Sequence, residues 1–435
     1  MQDLPQANAS IHQSAFARDR LKKRKAREIR FRLVGLIAIV AAVAALCWLV
    51  ISLVGTGYTA FYQHFMTIKV DLAADILDPD GARDPESLRR ANYRKIIQQA
   101  LYDRFPDVTG RRDKRELFQI ISASGATNYV RQKVYNDPSL VGRTIEITVP
   151  TSDDVDQLLK GHIDRGVPEK LRRISDRQIA WIDALKESGE VKPKFNTIFF
   201  TATDSRDPEL AGIASAVVGS VMAIIVAFVL AAPIGVGAAI YLDEFAPKNS
   251  VTDFIEININ NLAAVPSIVF GLLGLAVLLN FFGMPRSAPL VGGIVLALMT
   301  FPTIIITTRA SLRAVPPSIR NGALSVGASH MQAVFHHKLP LAMPGILTGA
   351  IIGMARALGE TAPLLMIGMV AFVTEIPSSI AAPASTLPVQ IFLWSDSAER
   401  AWAERASAAI LVLLVVLIAM NAVAIILRSR LERRW

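Results

Sequence analysis

An arginine and a glutamate stand four residues apart in the stretch ARALGETAPLL, residues 355–365, inside a long apolar run. A charged side chain at mid-membrane costs roughly 2.5–3.5 kcal/mol on insertion scales, so two unpaired charges would burden one helix heavily. Arg356 and Glu360 would be neighbours on one helical face and can pair. Two interpretations stay open. The two residues could form an ion pair that fixes the helix. Alternatively, the Arg356 guanidinium could line a hydrated path and offer an oxyanion its fork of donors, with Glu360 holding its orientation. Thr361 could add a hydroxyl, and helix packing explains that residue equally well.

The apolar runs around this pair identify the class of protein. Hydrophobic residues make up 52% of the 435, and several runs reach the ~20 residues that a bilayer crossing needs. They predict an all-α polytopic membrane protein with six transmembrane helices. The candidate spans are Leu33–Val54, Ile213–Tyr241, Leu262–Phe282, Val291–Thr308, Leu341–Val373 and Ala408–Leu427. Cys47, the only cysteine, lies in the first span, so no intrachain disulfide can form.

The distribution of charge predicts the orientation. A basic arm over residues 1–32 precedes the first span at 33–54, and Arg428, Arg430, Arg433 and Arg434 follow the last one. Because positive charge marks the cytoplasmic side, both termini are predicted to be cytoplasmic. Anionic lipid headgroups are the expected neighbours of the arm, and nucleic acid is not. Segment 309–340, with four Arg or Lys and no acid, is then inside; segment 243–260 gives no support, since its acids outnumber its one lysine.

The same topology places residues 55–210 outside as an inserted α+β domain. Strand character appears at 67–72, 144–149 and 196–201. Helical patterns occupy 85–104, 114–134, 152–159 and 175–188. The domain carries no metal-ligand spacing and no nucleophile constellation, so neither a catalytic residue nor a metal site is predicted. Binding a partner protein, or covering the membrane-embedded part, both remain open.

A helical hairpin is predicted over residues 313–345. Pro316 and Pro317 suit a first helical turn, and Gly327 can end that helix in a left-handed conformation. Ser329 with Gln332 fits a capping box for a second helix, which Pro340 should end as the fifth span begins. Six apolar side chains give the hairpin considerable apolar surface. Some of it must pack on the ends of the spans, and the rest favours docking of a partner over a simple connection. The six are Ala323, Leu324, Val326, Met331, Val334 and Phe335.

Residues 321–340 of this hairpin resemble the EAA loop of ABC-transporter permeases. Ala323, Gly327, Leu339 and Pro340 fall at matching positions. Asn321 stands where the family has glutamate, Gly322 where it has alanine and His337 where it has isoleucine. In the family this loop inserts into a groove of the ATP-hydrolysing subunit. The resemblance therefore implies that loop 313–340 couples this chain to an ATPase. It implies no ionic contact at Asn321, because the family's glutamate is replaced there by a neutral amide.

Two further stretches resemble the phosphate-specific permeases of the PstA type: NLAAVPSIVFGLLGL at 261–275 and ARALGETAPLL. With the loop, the similarity covers about residues 205–430, and the part before it is similar to an N-terminal extension of some members. The resemblance implies a permease domain over 211–430 in a bacterial inner membrane, importing inorganic phosphate. It implies as partners a second permease of the PstC type, ATPase subunits of the PstB type and an extracytoplasmic phosphate-binding protein of the PstS type. The chain has no Gly-x-x-x-x-Gly-Lys-Ser/Thr loop, so ATP is expected to be used by the partner, and no cofactor is expected on this chain.

Alternatives of other classes are weaker. A secondary transporter should show inverted repeats and more ionisable residues in its spans, and a receptor does not explain five further spans. A permease for another oxyanion or small solute stays open. A bend is predicted in the fifth span, which contains Gly359, Pro363 and Gly368. A local break is predicted in the third span at Pro266 and Gly271.

Overall fold

The computed structural model describes residues 15–79, 81 and 83–431. The chain divides into two units, one up to Gly55 and one from Thr56 onward. The first 14 residues of the predicted basic arm, and Arg433 and Arg434 of the basic tail, lie outside the described residues. Helix α1, Ala15–Gly57, has 43 residues, which at 1.5 Å per residue is about 65 Å. It contains the predicted first span and continues the helix back through the basic residues before it.

Residues 58–210, here called the sheet region, contain a three-stranded antiparallel sheet surrounded by helices. Its order is β2–β1–β3, with β1 Tyr62–Asp71, β2 Thr144–Pro150 and β3 Val191–Phe195. The surrounding helices are α2 Ala74–Leu77, α3 Pro85–Arg90, α4 Tyr93–Arg104, α5 Arg111–Phe118, α6 Ala123–Asn136, α7 Asp153–Leu159, α8 Asp176–Glu187 and α9 Thr197–Thr201. Alternate residues of β1, such as Met66 and Val70, are fully buried in one apolar core with Ile97 and Leu101 of α4. The period of two along β1 therefore gives the sheet one face toward these helices.

The predicted strands at 67–72 and 144–149 are confirmed, and the one at 196–201 is wrong. Residues 197–201 form α9 because the side-chain oxygen of Asn196 accepts a hydrogen bond from the Phe199 amide, at 3.0 Å, and caps a helix. The third strand lies just before it, at Val191–Phe195. It is an edge strand, the position at which a sheet tolerates a proline such as Pro193.

The rest of the described chain is mostly helical, apart from irregular segments such as residues 367–386, and small residues set the packing of its helices. The helices are α10 Ala214–Ile240, α11 Ser250–Ala263, α12 Ser267–Leu273, α13 Pro289–Ala314, α14 Pro317–Ser325, α15 His330–Gln332, α16 Leu339–Gly359, α17 Ala362–Met366, α18 Leu387–Ser395 and α19 Arg400–Leu431. Wide π-helical turns extend α10 over Tyr241–Phe245 and α12 over Gly274–Phe281, and join α15 to α16 over Ala333–Lys338. Helices α10 and α13 approach closely: a Cβ on Gly293 would lie 2.5 Å from Cβ of Val226.

Five helices among the described residues are long and apolar enough to cross a membrane, and one bent pair could provide a sixth crossing. That pair corrects the predicted third span. Helices α11 and α12 meet at 104° across Ala264–Pro266, and residues 250–260, predicted to be loop, are helical. Pro266 has no amide hydrogen to continue the helix and stands at the N-cap of α12, so the predicted break is present there.

The predicted fifth span is also corrected. It was placed at Leu341–Val373, but α16 ends at Gly359. Short helix α17 follows, and Gly368, with a φ of +85°, ends it in the left-handed region. A Cβ on Gly271 of α12 would lie 2.7 Å from Cα of Pro363, so α12 and α17 are in close contact. The glycines and proline therefore end the helix instead of bending it.

The sheet region is attached to the start of α19 by buried polar contacts. Lys160, whose side chain is 2% exposed, lies with its Nζ 2.8 Å from Oε1 of Glu404 and 2.7 Å from Oδ2 of Asp156. The guanidinium of Arg405 donates to the carbonyl of Ala211, the residue directly after the sheet region, at 2.8 Å. Nearby, burial raises the pKa of Glu209 to about 7. The last span thus begins inside a network that the sheet region completes.

Candidate coupling and translocation sites

The first helix of the predicted hairpin ends as its glycine indicates. Pro316 and Pro317 open α14, and Gly327 adopts a φ of +92° just beyond it. The Gly327 amide donates to the carbonyl of Leu324 at 3.0 Å, and the Ala328 amide donates to the carbonyl of Ala323 at 3.1 Å. This pair of bonds satisfies carbonyls that the end of a helix leaves unpaired. The tight turn of the coupling hairpin, residues 316–338, is therefore defined by its own backbone.

The second helix begins with the predicted capping box. Oγ of Ser329 accepts from the Gln332 amide at 3.2 Å, and Oε1 of Gln332 accepts from the Ser329 amide at 2.9 Å. The prediction that Pro340 ends this helix is wrong, since His330–Gly359 is one helix of 30 residues. An interior proline removes one helical hydrogen bond and crowds the carbonyl of the preceding turn, and the wide π turn just before Pro340 gives its ring room. The hairpin and the fifth span thus share a continuous helix.

The hairpin exposes both its loop residues and an apolar surface. Among the residues that match or depart from the EAA pattern, Asn321, Gly322, Gly327 and Pro340 are exposed, Leu339 is half-buried and Ala323 is buried. The exposed fractions of the apolar side chains are 86% for Val326, 58% for Met331, 40% for Phe335 and 37% for Leu324. Val334 is buried against the ends of the spans. The predicted division between packing and outward-facing residues is therefore present.

Two acids of segment 243–260 lie against this hairpin. Asp243 and Glu244 stand in the π turn that ends α10, and their side chains are 6% and 2% exposed. Their basic partners are Arg313, Arg320 and Lys338, from the end of α13 and from the hairpin. The available signal was the absence of any acid in segment 309–340, which leaves its bases to pair elsewhere.

The arginine and glutamate of ARALGETAPLL do meet, but not on one helical face. Arg356 lies in the last turn of α16, and Glu360 follows the helix end with an extended backbone. Nε of Arg356 is 3.6 Å from Oε1 of Glu360; the side chains are 61% and 19% exposed. Thr361 is half-buried, and its carbonyl accepts from the Leu365 amide at 3.0 Å, which starts α17. The exposed guanidinium keeps donor atoms for a further group, with the carboxylate on one side of it.

Comparison with known proteins follows the same division of the chain. A family model described as a binding-protein-dependent transport system inner membrane component matches residues 231–435, and one described as a domain of unknown function, DUF3333, matches residues 18–169. A probable ABC transporter permease protein of Bacillus subtilis, YqgI, is 32% identical over 206 residues, covering 45% of this chain and 69% of its own. The phosphate transport system permease protein PstA of Yersinia pestis is 32% identical over 213 residues, covering 49% of this chain and 71% of its own. This chain belongs to the PstA type of ABC-transporter permeases.

As a PstA-type permease, the chain is a multi-pass inner-membrane protein. Both candidate sites lie inside the matched permease region, and most of the sheet region lies inside the other match. A solved amino acid ABC transporter aligns with 50% of this chain and 92% of its own chain, at 20% identity and a TM-score of 0.40.

Proposed function

We propose that this chain is the transmembrane permease subunit of an ATP-driven importer of inorganic phosphate. The observation that carries the proposal is its kinship with a phosphate transport permease, of which it covers 71%. The chain itself is not an ATPase, because its sequence has no phosphate-binding P-loop. ATP is therefore used by a partner, and no cofactor need be bound here.

The coupling hairpin is the proposed docking site for that ATPase. A solvent-facing hairpin gains nothing from exposing Val326, Met331 and Phe335, whereas a partner groove would remove them from water. Asn321, Gly322 and Gly327 surround this surface and are exposed with it. The proposed contact is mainly apolar, since Asn321 offers an amide where the family has a carboxylate.

Arg356 is the proposed phosphate-contacting residue of the translocation path. It lies 17 residues beyond Leu339, the first residue of α16, which is about 25 Å along the helix. Counted from Leu339, that distance places the guanidinium toward the outer side of a ~30 Å hydrocarbon layer, where its open side is proposed to face water or a second permease instead of lipid. The guanidinium can bind two phosphate oxygens at once. Glu360 holds it and limits its charge, which lets the anion leave, and Thr361 completes the site.

Movement of the hairpin is the proposed source of alternating access. When the partner ATPases close on ATP, they displace the hairpin as a rigid body. Because its second helix continues into α16, the displacement tilts the helix that carries Arg356. The remaining proposed partners are a second permease of the PstC type and an extracytoplasmic phosphate-binding protein of the PstS type.

The proposed topology places both termini and the coupling hairpin in the cytoplasm. It places the sheet region, which is the core of the proposed 55–210 domain, outside the membrane. The basic segment of α1 then faces anionic lipid headgroups, for which its exposed arginines and lysines provide counter-charge, and nucleic acid is not a partner. The role of the outside region is binding or shielding at the entrance, not catalysis.

Uptake of labelled phosphate tests the function. Cells that lack this chain should lose phosphate uptake, regain it with the parent chain and fail to regain it with Arg356→Ala. Uptake inhibited equally by sulfate or molybdate would contradict phosphate specificity. Purification through a tag on this chain should recover a P-loop ATPase, and its absence from an active complex would contradict the class of transporter.

A further inference from the structure

We propose that Asp243 and Glu244, which end the second span, are positioning residues that join the coupling hairpin to α10. A displacement of the hairpin then moves α10 together with α16. The inference rests on the proposed function, because it concerns how the motion of the hairpin reaches the spans. It adds a second connection to the covalent one through the helix His330–Gly359.

Glu244 contacts both helices of the hairpin. Its carboxylate pairs with Lys338 and lies 3.8 Å from Nε of Arg320, which is on α14. Its backbone carbonyl accepts from Nε2 of His330, the first residue of α15, at 2.9 Å. Nη2 of Arg320 lies 3.3 Å from Nδ1 of His330 and donates to it, so the ring is the neutral tautomer that carries its hydrogen on Nε2. One residue of α10 thus fixes both helices of the hairpin.

Asp243 extends the junction to the next span. Its Oδ1 accepts from Nε of Arg313, in the last turn of α13, at 2.8 Å. Its Oδ2 lies 3.4 Å from Nζ of Lys338, which also pairs with Glu244. Lys338 is 13% exposed, so the three charges are largely removed from water. The end of α10 and the hairpin therefore meet at a buried group of opposite charges, and Arg313, 62% exposed, connects the end of α13 to it from the rim.

The chemistry of this junction favours transmission of force over stability alone. Apolar contacts here, such as those of Ile240, Val315 and Val334, are non-directional and would allow the hairpin to slide along the span. Sliding would separate buried opposite charges, which interact strongly where water is excluded. The junction therefore resists relative motion of hairpin and α10, which is the property that a coupling element needs.

The test compares transport with hydrolysis in the complete complex, purified through a tag on this chain and reconstituted in liposomes with ATP and labelled phosphate. Glu244→Gln keeps the shape of the side chain and removes its charge. The expected result is that the ATPase still co-purifies and hydrolyses ATP, while phosphate imported per ATP falls about 10-fold, within the range of coupling between sites. Glu244→Asp, which keeps the carboxylate, should recover most of the ratio. The control is Asp253→Asn, an exposed acid in the first turn of α11, which should leave the ratio unchanged.

The outcomes distinguish a failure of the proposed function from a failure of the proposed positioning role. If the parent complex moves no phosphate, the proposed function fails. If the parent transports and Glu244→Gln keeps the parent ratio, or if Glu244→Asp recovers nothing in an assembled complex, the positioning role is overturned. If Glu244→Gln does not assemble, Arg320→Gln decides, because that side chain is 41% exposed and its loss leaves the pair of Lys338 and Glu244 in place. A parent-like ratio in Arg320→Gln then overturns the inference.

Discussion

Replacing Gly327 with alanine should open the coupling hairpin without touching any neighbouring group. Its φ is +92°, and a Cβ built there would meet no atom within 4 Å. The perturbation is therefore confined to the backbone of the turn. Gly322 provides a matched control, since it lies within α14 and a Cβ there also meets nothing within 4 Å.

The two substitutions should have effects of opposite sign. A left-handed backbone costs a residue with a Cβ roughly 1–2 kcal/mol, so Gly327→Ala destabilises the turn by that amount. A loss of that size raises the population of the opened turn by a factor of about 5–30. Alanine within a helix is favoured over glycine by about 1 kcal/mol, so Gly322→Ala should stabilise α14.

Limited proteolysis measures the opened population directly. Trypsin can cut after Arg320 on α14 only when the hairpin opens, and its rate follows that population when closing is fast. In inside-out membrane vesicles we expect cleavage to be about 5–30 times faster in Gly327→Ala than in the parent, from the population shift above, and slower in Gly322→Ala. Right-side-out vesicles should be protected, because the hairpin is proposed to face the cytoplasm. Phosphate imported per ATP should fall in Gly327→Ala alone.

Equal cleavage rates in the two variants would refute the backbone argument, because both make the same residue change in the same hairpin, at sites where the added Cβ meets no atom within 4 Å. Cleavage only in right-side-out vesicles would refute the orientation. Faster cleavage with unchanged coupling would mean that the hairpin does not act as a rigid body.

Three further outcomes are expected. Lys160→Met leaves the carboxylates of Asp156 and Glu404, 7% and 5% exposed, without their buried cation, and should lower the free energy of unfolding by about 3–5 kcal/mol, measured by thermal unfolding in detergent. Because burial raises the pKa of Glu209 to about 7, its contribution to stability is fully present below the unfolded pKa near 4.5 and is lost as pH rises through 7. Glu209→Gln should therefore match the parent at pH 4 and exceed it by about 3 kcal/mol at pH 8; a constant difference would contradict the assignment. Arg356→Lys keeps the charge but not the fork, so it should raise the KM for phosphate uptake while ATP hydrolysis continues, and an unchanged KM would remove this residue from the path.

Local signals in the sequence were sufficient for the hairpin. Gly327 needs a left-handed backbone and Ser329 with Gln332 closes a capping box, and each works within a few residues whatever the rest of the fold does. The same local chemistry misled at residues 196–201, where β-branched and aromatic residues favoured a strand but the cap at Asn196 started a helix. Pro193 hid the true strand, because only an edge position makes a proline acceptable there.

Long-range contacts account for what the sequence could not predict. Asp243 and Glu244 pair with Lys338, 95 and 94 residues away, and no periodicity records such a contact. Composition located the apolar runs but not their ends. Gly359 closes α16 although apolar residues resume at Ala362, and α11 and α12 meet at 104° close to the start of the apolar run 262–282. Hydropathy measures affinity for lipid, and the path of the backbone depends on neighbours that it does not describe.

The contacts between the sheet region and α19 bear on how this chain can be divided. A fragment limited to the matched permease region, residues 231–435, would keep Glu404 and Arg405 but lose Lys160 and the carbonyl of Ala211. Glu404 and Arg405 would then lie near the membrane boundary, at the start of the last transmembrane helix, without these two polar partners. Chimaeras that exchange the permease part between relatives should therefore keep these polar partners together from one parent. Deletion of the N-terminal half should give a protein that does not insert into the membrane or is degraded.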